Sequence, residues 1–266
     1  MKHYVHPSIV TGGPTTVLLV GAGGTGSQII SGLARMNRTL TALGHRGIHL
    51  EAMDGDAVSR SNVGRQLYSP ADVGANKALV QITRMNNFFG TAWKAYPSYL
   101  DADLRARRGY PIIVTAVDSV SARSLVAQLG KKSGSAYWLD TGNTATTGQV
   151  ILGSFLEVKQ PDPASPARLP HVLDLYGSIM EEEEKKSYQG PSCSVEDAIQ
   201  KQDLFINQWV ATAALEILWK MFRKGCLTVH AAFVSLDPLA VRSLPVDPEV
   251  WKAMGWTPRK RRNRPK

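Results

Sequence analysis

The sequence is poor in cysteine and has no long apolar run. Its 266 residues include only two cysteines, Cys193 and Cys226, so a disulfide framework and a four-cysteine zinc site within one chain are both excluded. The longest apolar stretches have the length of a strand, which argues against a secretory leader and against a membrane-spanning helix of about 20 apolar residues. We therefore expect a cytoplasmic protein that does not enter a membrane.

Acidic residues are missing from the end of the chain. Lysines and arginines between Arg259 and Lys266 supply six of the nine net positive charges, and the rest of the chain is only mildly basic. A solvated, disordered tail over residues 257–266 is the favoured interpretation. The alternative is nucleic-acid binding, since clustered Lys and Arg gain affinity by releasing counterions from phosphates.

The remaining composition is that of a globular protein, with 43% hydrophobic residues. Strand-like and helix-like segments alternate from Thr15 to Gly153. This alternation predicts a Rossmann-like, doubly wound α/β fold with a mostly parallel sheet and helices on both faces. Segments 227–236 and 241–246 flank an Asp-Pro turn and predict a C-terminal antiparallel hairpin. We expect one domain over residues 1–256, with a crossover loop at about 158–193.

An apolar run from Thr15 to Val20 ends abruptly in a glycine cluster, which a helical pattern follows. The spacing Gly21-x-Gly23-x-x-Gly26, with Gly24 inside it, fits a tight turn, a close approach of backbone to phosphate, and close packing of helix on strand. Alone, the motif indicates a nucleotide without saying which one.

Polar residues follow two of the predicted strands, and a lysine begins a helix near them. Asp54 ends the second strand, where a dinucleotide-type fold has an acid for the ribose hydroxyls. Lys77 lies in the first turn of a helix, where the helix dipole favours anions, so a bound phosphate would offset the mismatch. Asp118 follows the apolar run Ile112–Val117, and the long polar segment 54–68 indicates a binding loop.

Helical patterns continue toward the C-terminus. We predict a short helix at about 102–107, an amphipathic piece at 171–180, and a closing turn at 251–256. A long helix is predicted at about 203–222. Its predicted apolar side recurs every four residues and consists of Phe205, Trp209, Ala213, Ile217 and Met221.

As a set, these motifs resemble the ThiF/MoeB family, which is related to the ubiquitin-activating enzymes. The resemblance runs from about Val17 to Phe155 in order and spacing, and Cys193 followed by the long helix continues it. Within the family, the chain looks most like the ThiF-type proteins of the plasmid-associated PRTRC cassettes. The residues that carry the resemblance are Gly21–Gly26, Asp54, Asp56, Ser61–Gln66, Lys77, Asp118, Gly142, Gly148 and Gln149.

The resemblance implies an ATP-dependent adenylyltransferase that uses Mg²⁺. Such an enzyme activates the C-terminal glycine carboxylate of a small ubiquitin-like or sulfur-carrier protein, and a homodimer is expected. Asp118 would bind the Mg²⁺, and Arg65, Lys77, Asp118 and Cys193 would be the catalytic residues. The residues expected at the nucleotide are Gly21, Gly23, Gly24, Gly26, Asp54, Asp56, Asn62, Arg65, Gln66 and Lys77.

Cys193 lies on a Gly-Pro-Ser-Cys turn ahead of the long helix. A helix start lowers a thiol pKa, which favours the reactive thiolate and a thioester or sulfur-transfer step. The alternative is a small buried hydrophobic residue. The paired Cys-x-x-Cys motifs of many relatives are missing, so we expect no zinc.

Two other functions remain open at this stage. A nicotinamide-dependent oxidoreductase would account for the glycine turn and Asp54, but it leaves Arg65, Lys77 and Asp118 without a role. A non-catalytic nucleotide-binding scaffold of a plasmid or DNA-maintenance system would use the basic tail to contact DNA or an acidic partner.

Overall fold

The computed structural model describes residues 1–101, 109–186 and 202–257. The helix predicted at about 102–107, Cys193, and the basic residues from Arg259 to Lys266 lie outside the described residues. The strands of the described part are β1 (His3–Tyr4), β2 (Thr15–Val20), β3 (Ile48–Met53), β4 (Lys94–Tyr96), β5 (Ile112–Thr115), β6 (Tyr137–Asn143), β7 (Thr147–Ser154), β8 (Cys226–Leu227), β9 (Val229–Leu236) and β10 (Leu239–Pro245).

Eight of these strands form one mixed sheet in the order β10-β9-β7-β6-β5-β2-β3-β4. Five adjacent strands, in the order β6-β5-β2-β3-β4, are parallel. Strands β7, β9 and β10 continue the sheet beyond β6, and each is antiparallel to its neighbours. The strand order reverses between β2 and β5, because β3 and β4 lie on one side of β2 whereas β5 and β6 lie on the other. Such a reversal opens a crevice at the carboxyl ends of the strands.

The helices of the described residues form two groups around this sheet. They are α1 (Pro7–Val10), α2 (Gly24–Ala42), α3 (Lys77–Phe89), α4 (Val120–Ser133), α5 (Val172–Lys186), α6 (Ile206–Lys224) and α7 (Pro248–Ala253). Helix α2 packs against α3 and α6, and α4 packs against α5. All four residues of β5 are buried, as expected for a parallel strand covered on both faces. The predicted fold class and the C-terminal hairpin of β9 and β10 are confirmed.

Two helix starts are explained by side-chain caps. Asn76 accepts a hydrogen bond from the backbone N–H of Leu79 at 3.1 Å and begins α3. Ser119 accepts one from the N–H of Ala122 at 3.3 Å and begins α4. Both caps lie just after the polar segments that follow β3 and β5, so the local sequence ends each loop beside the crevice.

The apolar side predicted for α6 is partly wrong. Ile217 and Met221 are buried, but Phe205 is 56% exposed and Trp209 is 37% exposed. Steps of four residues rotate about 40° past a full turn of a helix with 3.6 residues per turn, so a stripe of five such residues drifts by about 160°. The inner face is formed instead by residues three and four apart, among them Val210, Ala214 and Ile217.

Two further segments differ from the prediction. Helix α5 continues through the acidic stretch to Lys186, beyond the predicted end at 180. The predicted closing turn at 251–256 begins as helix α7, which Asp247 caps by accepting a hydrogen bond from the N–H of Glu249 at 3.0 Å. The acidic end of α5 lacks apolar periodicity, and α7 is only six residues long, so its periodicity is too brief to indicate a helix.

The first residues pack at the end of the sheet opposite the crevice. Strand β1 pairs with β8, and the ring of His3 is hydrogen-bonded to Tyr137 Oη at 2.9 Å. Tyr137 is the first residue of β6, so this contact lies at the amino ends of the parallel strands. No helix among the described residues is long and apolar enough to cross a membrane.

Buried His230 leads to a prediction about acid stability. Its Nδ1 donates to Leu152 O at 2.9 Å, and its buried Nε2 has no partner among the described residues. Burial lowers the pKa of His230 to about 4. The free energy of unfolding should therefore be intact above pH 6.5, the unfolded pKa, and fall by roughly 3 kcal/mol from this residue as the pH drops toward 4.

Denaturant unfolding at several pH values measures this loss. His230→Asn removes the titrating ring and keeps a side-chain N–H, so its unfolding free energy should fall less steeply than that of the unmodified protein between pH 6.5 and 4. Parallel pH profiles for the two proteins would contradict the prediction.

Candidate functional site

A cavity of about 820 Å³ lies at the carboxyl ends of the parallel strands. It brings together most of the residues that the sequence singled out. The predicted residues that line it are Gly21, Gly23, Gly24, Asp54, Asp56, Arg65, Gln66, Lys77 and Asp118. Gly26 and Asn62 are not part of the lining, and Cys193 lies outside the described residues.

The glycine turn connects β2 to α2 by close backbone contacts. Gly21 has a φ of 93°, and a Cβ there would lie 2.4 Å from Ala116 O on the neighbouring strand end. A Cβ on Gly26 would lie 1.9 Å from Gly21 O, so Gly26 is required for the packing of α2 on the turn. The helix cap at Gly23 has no side-chain hydrogen bond, which leaves the N–H groups of the first turn available to an anion.

Asp54 links the glycine turn to the loop after β3. Its Oδ2 accepts a hydrogen bond from the N–H of Ala22 at 2.6 Å, and its Oδ1 accepts one from the N–H of Asp56 at 2.8 Å. Burial raises the pKa of the Asp54 carboxyl, and the two backbone N–H groups oppose that shift. Each carboxylate oxygen has a second lone pair, so Asp54 can still accept hydroxyl hydrogens from a ligand.

Lys77 and Asp56 form an ion pair in the cavity wall. Lys77 Nζ lies 2.8 Å from Asp56 Oδ2, and Tyr99 Oη donates to Asp56 Oδ1 at 2.6 Å. Lys77 is only 8% exposed, whereas Tyr99 is 70% exposed and its ring covers Gly55. These hydrogen bonds to Lys77 and Tyr99 lower the pKa of the Asp56 carboxyl, although partial burial opposes the shift.

Arg65 contributes a second cation, which has no carboxylate partner among the described residues. Its Nη1 donates to the amide oxygen of Gln202 at 2.7 Å. Within the described part of the chain, its Nε is buried without a hydrogen-bond partner, as is Oε1 of the adjacent Gln66. Burial lowers the pKa of Arg65. An anion in the cavity would pair with the charge of the guanidinium, which no carboxylate of the described residues neutralises.

Asn62 and Asp118 occupy different surroundings. Asn62 is buried, and its Oδ1 accepts a hydrogen bond from the N–H of Ser59 at 2.9 Å, which stabilises the binding loop. Asp118 is exposed at the cavity wall. No group of three or more His, Cys, Asp or Glu residues in the described part of the chain could bind a metal ion. A single carboxylate fits Mg²⁺, which usually keeps several waters and binds one or two carboxylates together with phosphates.

Sequence reasoning missed the buried pair of Arg123 and Asp140. Arg123 Nε donates to both Asp140 oxygens, at 3.0 and 3.1 Å, and Nη2 donates to Thr141 O at 3.1 Å. Burial raises the pKa of the Asp140 carboxyl, and the guanidinium opposes that shift. The sequence carries one sign of this pair, since Asp140 directly follows the apolar run 136–139 and a buried charge needs a partner, but nothing in the sequence identifies Arg123 as that partner.

The sequence matches the family model of the ThiF family over residues 14–247. The chain belongs to the ThiF family. The predicted resemblance is thereby confirmed, and the match extends beyond Phe155, where the motifs end, through α6 to the C-terminal hairpin. No curated protein matches the chain.

Solved structures have the same fold as this ThiF-family chain. E. coli MccB in complex with MccA-N7isoASN is 18% identical with a TM-score of 0.59, and PaaA is 17% identical with a TM-score of 0.58. E. coli MccB with ATP is 16% identical with a TM-score of 0.57. Each alignment covers 87% of this chain and 64% of the other, so the chain spans less than two thirds of these proteins.

The glycine turn allows a matched pair of substitutions. Gly26→Ala should lower the free energy of unfolding by about 2 kcal/mol or more, because its Cβ would overlap the carbonyl of Gly21. Gly23→Ala should cost much less, since a Cβ there meets no atom within 4 Å. Urea denaturation measures both. Equal destabilisation by the two substitutions would contradict the assigned roles.

Proposed function

We propose that this chain is an ATP-dependent adenylyltransferase that activates the C-terminal glycine carboxylate of a small ubiquitin-like or sulfur-carrier protein. The observation that carries the proposal is the convergence of a glycine turn, two cations and Asp118 on one cavity at the strand ends. We further propose that it acts as a cytoplasmic homodimer of a PRTRC-type plasmid cassette, with nucleic-acid contact through the basic tail as an additional role.

The two cations favour a polyphosphate over a dinucleotide. A nicotinamide dinucleotide needs the glycine turn and Asp54, and it makes no use of half-buried Arg65 or buried Lys77. Lys77 and Arg65 lie in the same cavity as the first turn of α2, where backbone N–H groups add partial positive charge. Such an environment suits the several negative charges of ATP, and E. coli MccB has been crystallised with ATP.

The proposed reaction is the attack of a carboxylate oxygen on the α-phosphorus. A new oxygen–phosphorus bond forms the acyl-adenylate, the bond to the bridging oxygen breaks, and pyrophosphate leaves. Fixed donors would stabilise the charge that develops on the phosphoryl oxygens, which is the main contribution of proteins to phosphoryl transfer. Arg65 and Lys77 would contact the phosphates, Gln66 would support them, and Asp54 would orient the ribose.

Asp118 is the proposed Mg²⁺ ligand. The bound ion would neutralise phosphate charge and would complete its coordination with waters and phosphate oxygens. The exposed position of Asp118 in the cavity wall is compatible with this use, because no other side chain competes for its carboxylate among the described residues.

We propose that the substrate carboxylate binds beside the strand ends of β6 and β7. Thr141, Asn143 and Gln149 of these strands also line the cavity. These residues offer hydroxyl and amide groups, which can hydrogen-bond an extended chain terminus. E. coli MccB has been crystallised with MccA and with a MccA derivative, which supports a polypeptide substrate for this chain as well.

Pyrophosphate exchange tests the proposed reaction. The protein, Mg-ATP and a small carrier protein ending in glycine should exchange labelled pyrophosphate into ATP. Arg65→Ala and Asp118→Ala should each reduce exchange by at least about 100-fold, because each removes charge stabilisation at the phosphates. Arg35→Ala, at an exposed site on α2, is the control and should leave exchange intact.

Two results would overturn the adenylyltransferase proposal. Exchange that is unaffected by Arg65→Ala and Asp118→Ala would remove the mechanism. Protection against thermal unfolding by NAD but not by Mg-ATP would favour the oxidoreductase, since a ligand that binds the folded state stabilises it by an amount that rises with the logarithm of its concentration over Kd.

A covalent step at Cys193 is a separate part of the proposal. The thiolate would displace AMP from the acyl-adenylate and form a thioester with the carrier protein. Cys193→Ala should then abolish a thiol-sensitive conjugate on denaturing gels while pyrophosphate exchange continues, because exchange needs only the adenylate. A conjugate that persists in Cys193→Ala, with Cys226 intact, would remove this role.

A further inference from the structure

A chain of neutral side chains connects Arg65 to the glycine turn. Gln202 Oε1 accepts hydrogen bonds from Arg65 Nη1 at 2.7 Å and from Asn207 Nδ2 at 3.2 Å. Asn207 Oδ1 in turn accepts from Thr25 Oγ1 at 3.0 Å. Thr25 lies in the first turn of α2, so the chain spans from the binding loop, across the start of α6, to the phosphate-binding turn.

The amide orientations in this chain are determined by their partners. Arg65 can only donate, so Gln202 must present its oxygen to it. Asn207 then has to present its NH₂ to that same oxygen, which leaves its own oxygen for the Thr25 hydroxyl. Every member has a partner of the correct kind, and Asn207 is buried. The arrangement therefore specifies one position for the guanidinium.

The absence of a side chain at Gly24 leaves the space that this series of hydrogen-bonded side chains occupies. A Cβ on Gly24 would lie 2.6 Å from the Asn207 amide carbon. Gly24 is not one of the three glycines of the Gly-x-Gly-x-x-Gly spacing, and its small size is explained by the packing of Asn207 against the turn.

Neutral partners preserve the charge of Arg65. Lys77 in the same cavity is paired with the carboxylate of Asp56, whereas Arg65 is held by an amide oxygen. A carboxylate would hold the guanidinium as firmly but would neutralise it, and an amide positions it with its charge available. The buried Nε of Arg65 still lacks an acceptor among the described residues.

We propose that Gln202 and Asn207 are positioning residues, which hold Arg65 against the glycine turn so that its charge remains available to the phosphates of ATP. This inference rests on the proposed function. It adds a role for the start of α6 that neither the glycine motif nor the strand-end residues indicate.

Gln202→Glu tests the inference, because it keeps the length of the side chain and adds a charge that pairs with Arg65. Mg-ATP affinity, measured by calorimetry, should weaken at least about tenfold. The matched control is Gln208→Glu, which adds the same charge at an exposed position of α6 and should change the affinity less than about twofold. Wild-type affinity in Gln202→Glu would overturn the inference.

A double substitution separates this inference from the proposed function. If Gln202 acts through Arg65, Gln202→Glu should have little further effect once Arg65→Ala is present. An equal loss in both backgrounds would overturn the positioning role. Wild-type ATP affinity in Arg65→Ala itself would instead contradict the proposed role of Arg65 at the phosphates.

Asn207→Asp gives a second test that does not alter Gln202. The carboxylate can still accept from Thr25 but cannot donate to Gln202, so the Gln202 amide should rotate and lose its bond to Arg65. ATP affinity should fall in the same direction as in Gln202→Glu, measured below the melting temperature of the variant, which the buried carboxylate lowers. Unchanged affinity would contradict the inference.

Discussion

The geometry of the cavity depends on the hydrogen bonds that the carboxylate of Asp54 accepts. By accepting hydrogen bonds from the N–H groups of Ala22 and Asp56, it ties the glycine turn after β2 to the loop after β3. Tyr68 adds a second tie from the far end of that loop, since its hydroxyl donates to Ala22 O at 2.6 Å. Two strand ends and a long polar loop thus become one rigid unit, and the positions of Lys77 and Arg65 follow from it.

The strands and the main site could be predicted because their information is local. The run before Gly21, the acid after β3 and the lysine that begins α3 are each recognisable within a few residues. The parallel order of the strands then brings their ends together without further information. Asn62 was predicted at the phosphates, yet the structure has its amide oxygen within the binding loop. A motif identifies which loop binds, but not which of its side chains stabilise the loop itself.

What could not be predicted depends on contacts between distant segments. Arg123 and Asp140 are 17 residues apart, and Gln202 lies 137 residues from Arg65. Neither pair of residues produces a periodic pattern in the sequence that would indicate the contact. The inward face of α6 was mispredicted for a related reason: Phe205 and Trp209 look like core residues by composition, and only the packing of α6 on α2 decides which side is buried.

The ion pair of Lys77 and Asp56 has a consequence for selectivity. Asp56 acts as a tethered competitor, because its carboxylate is held beside the lysine at a high effective concentration. A singly charged solute such as chloride or acetate carries no more negative charge than the Asp56 carboxylate that Lys77 already contacts. An anion with several charges on neighbouring oxygens offers a stronger field and can displace the carboxylate. At Lys77 the cavity wall therefore favours anions of high charge density over singly charged ones.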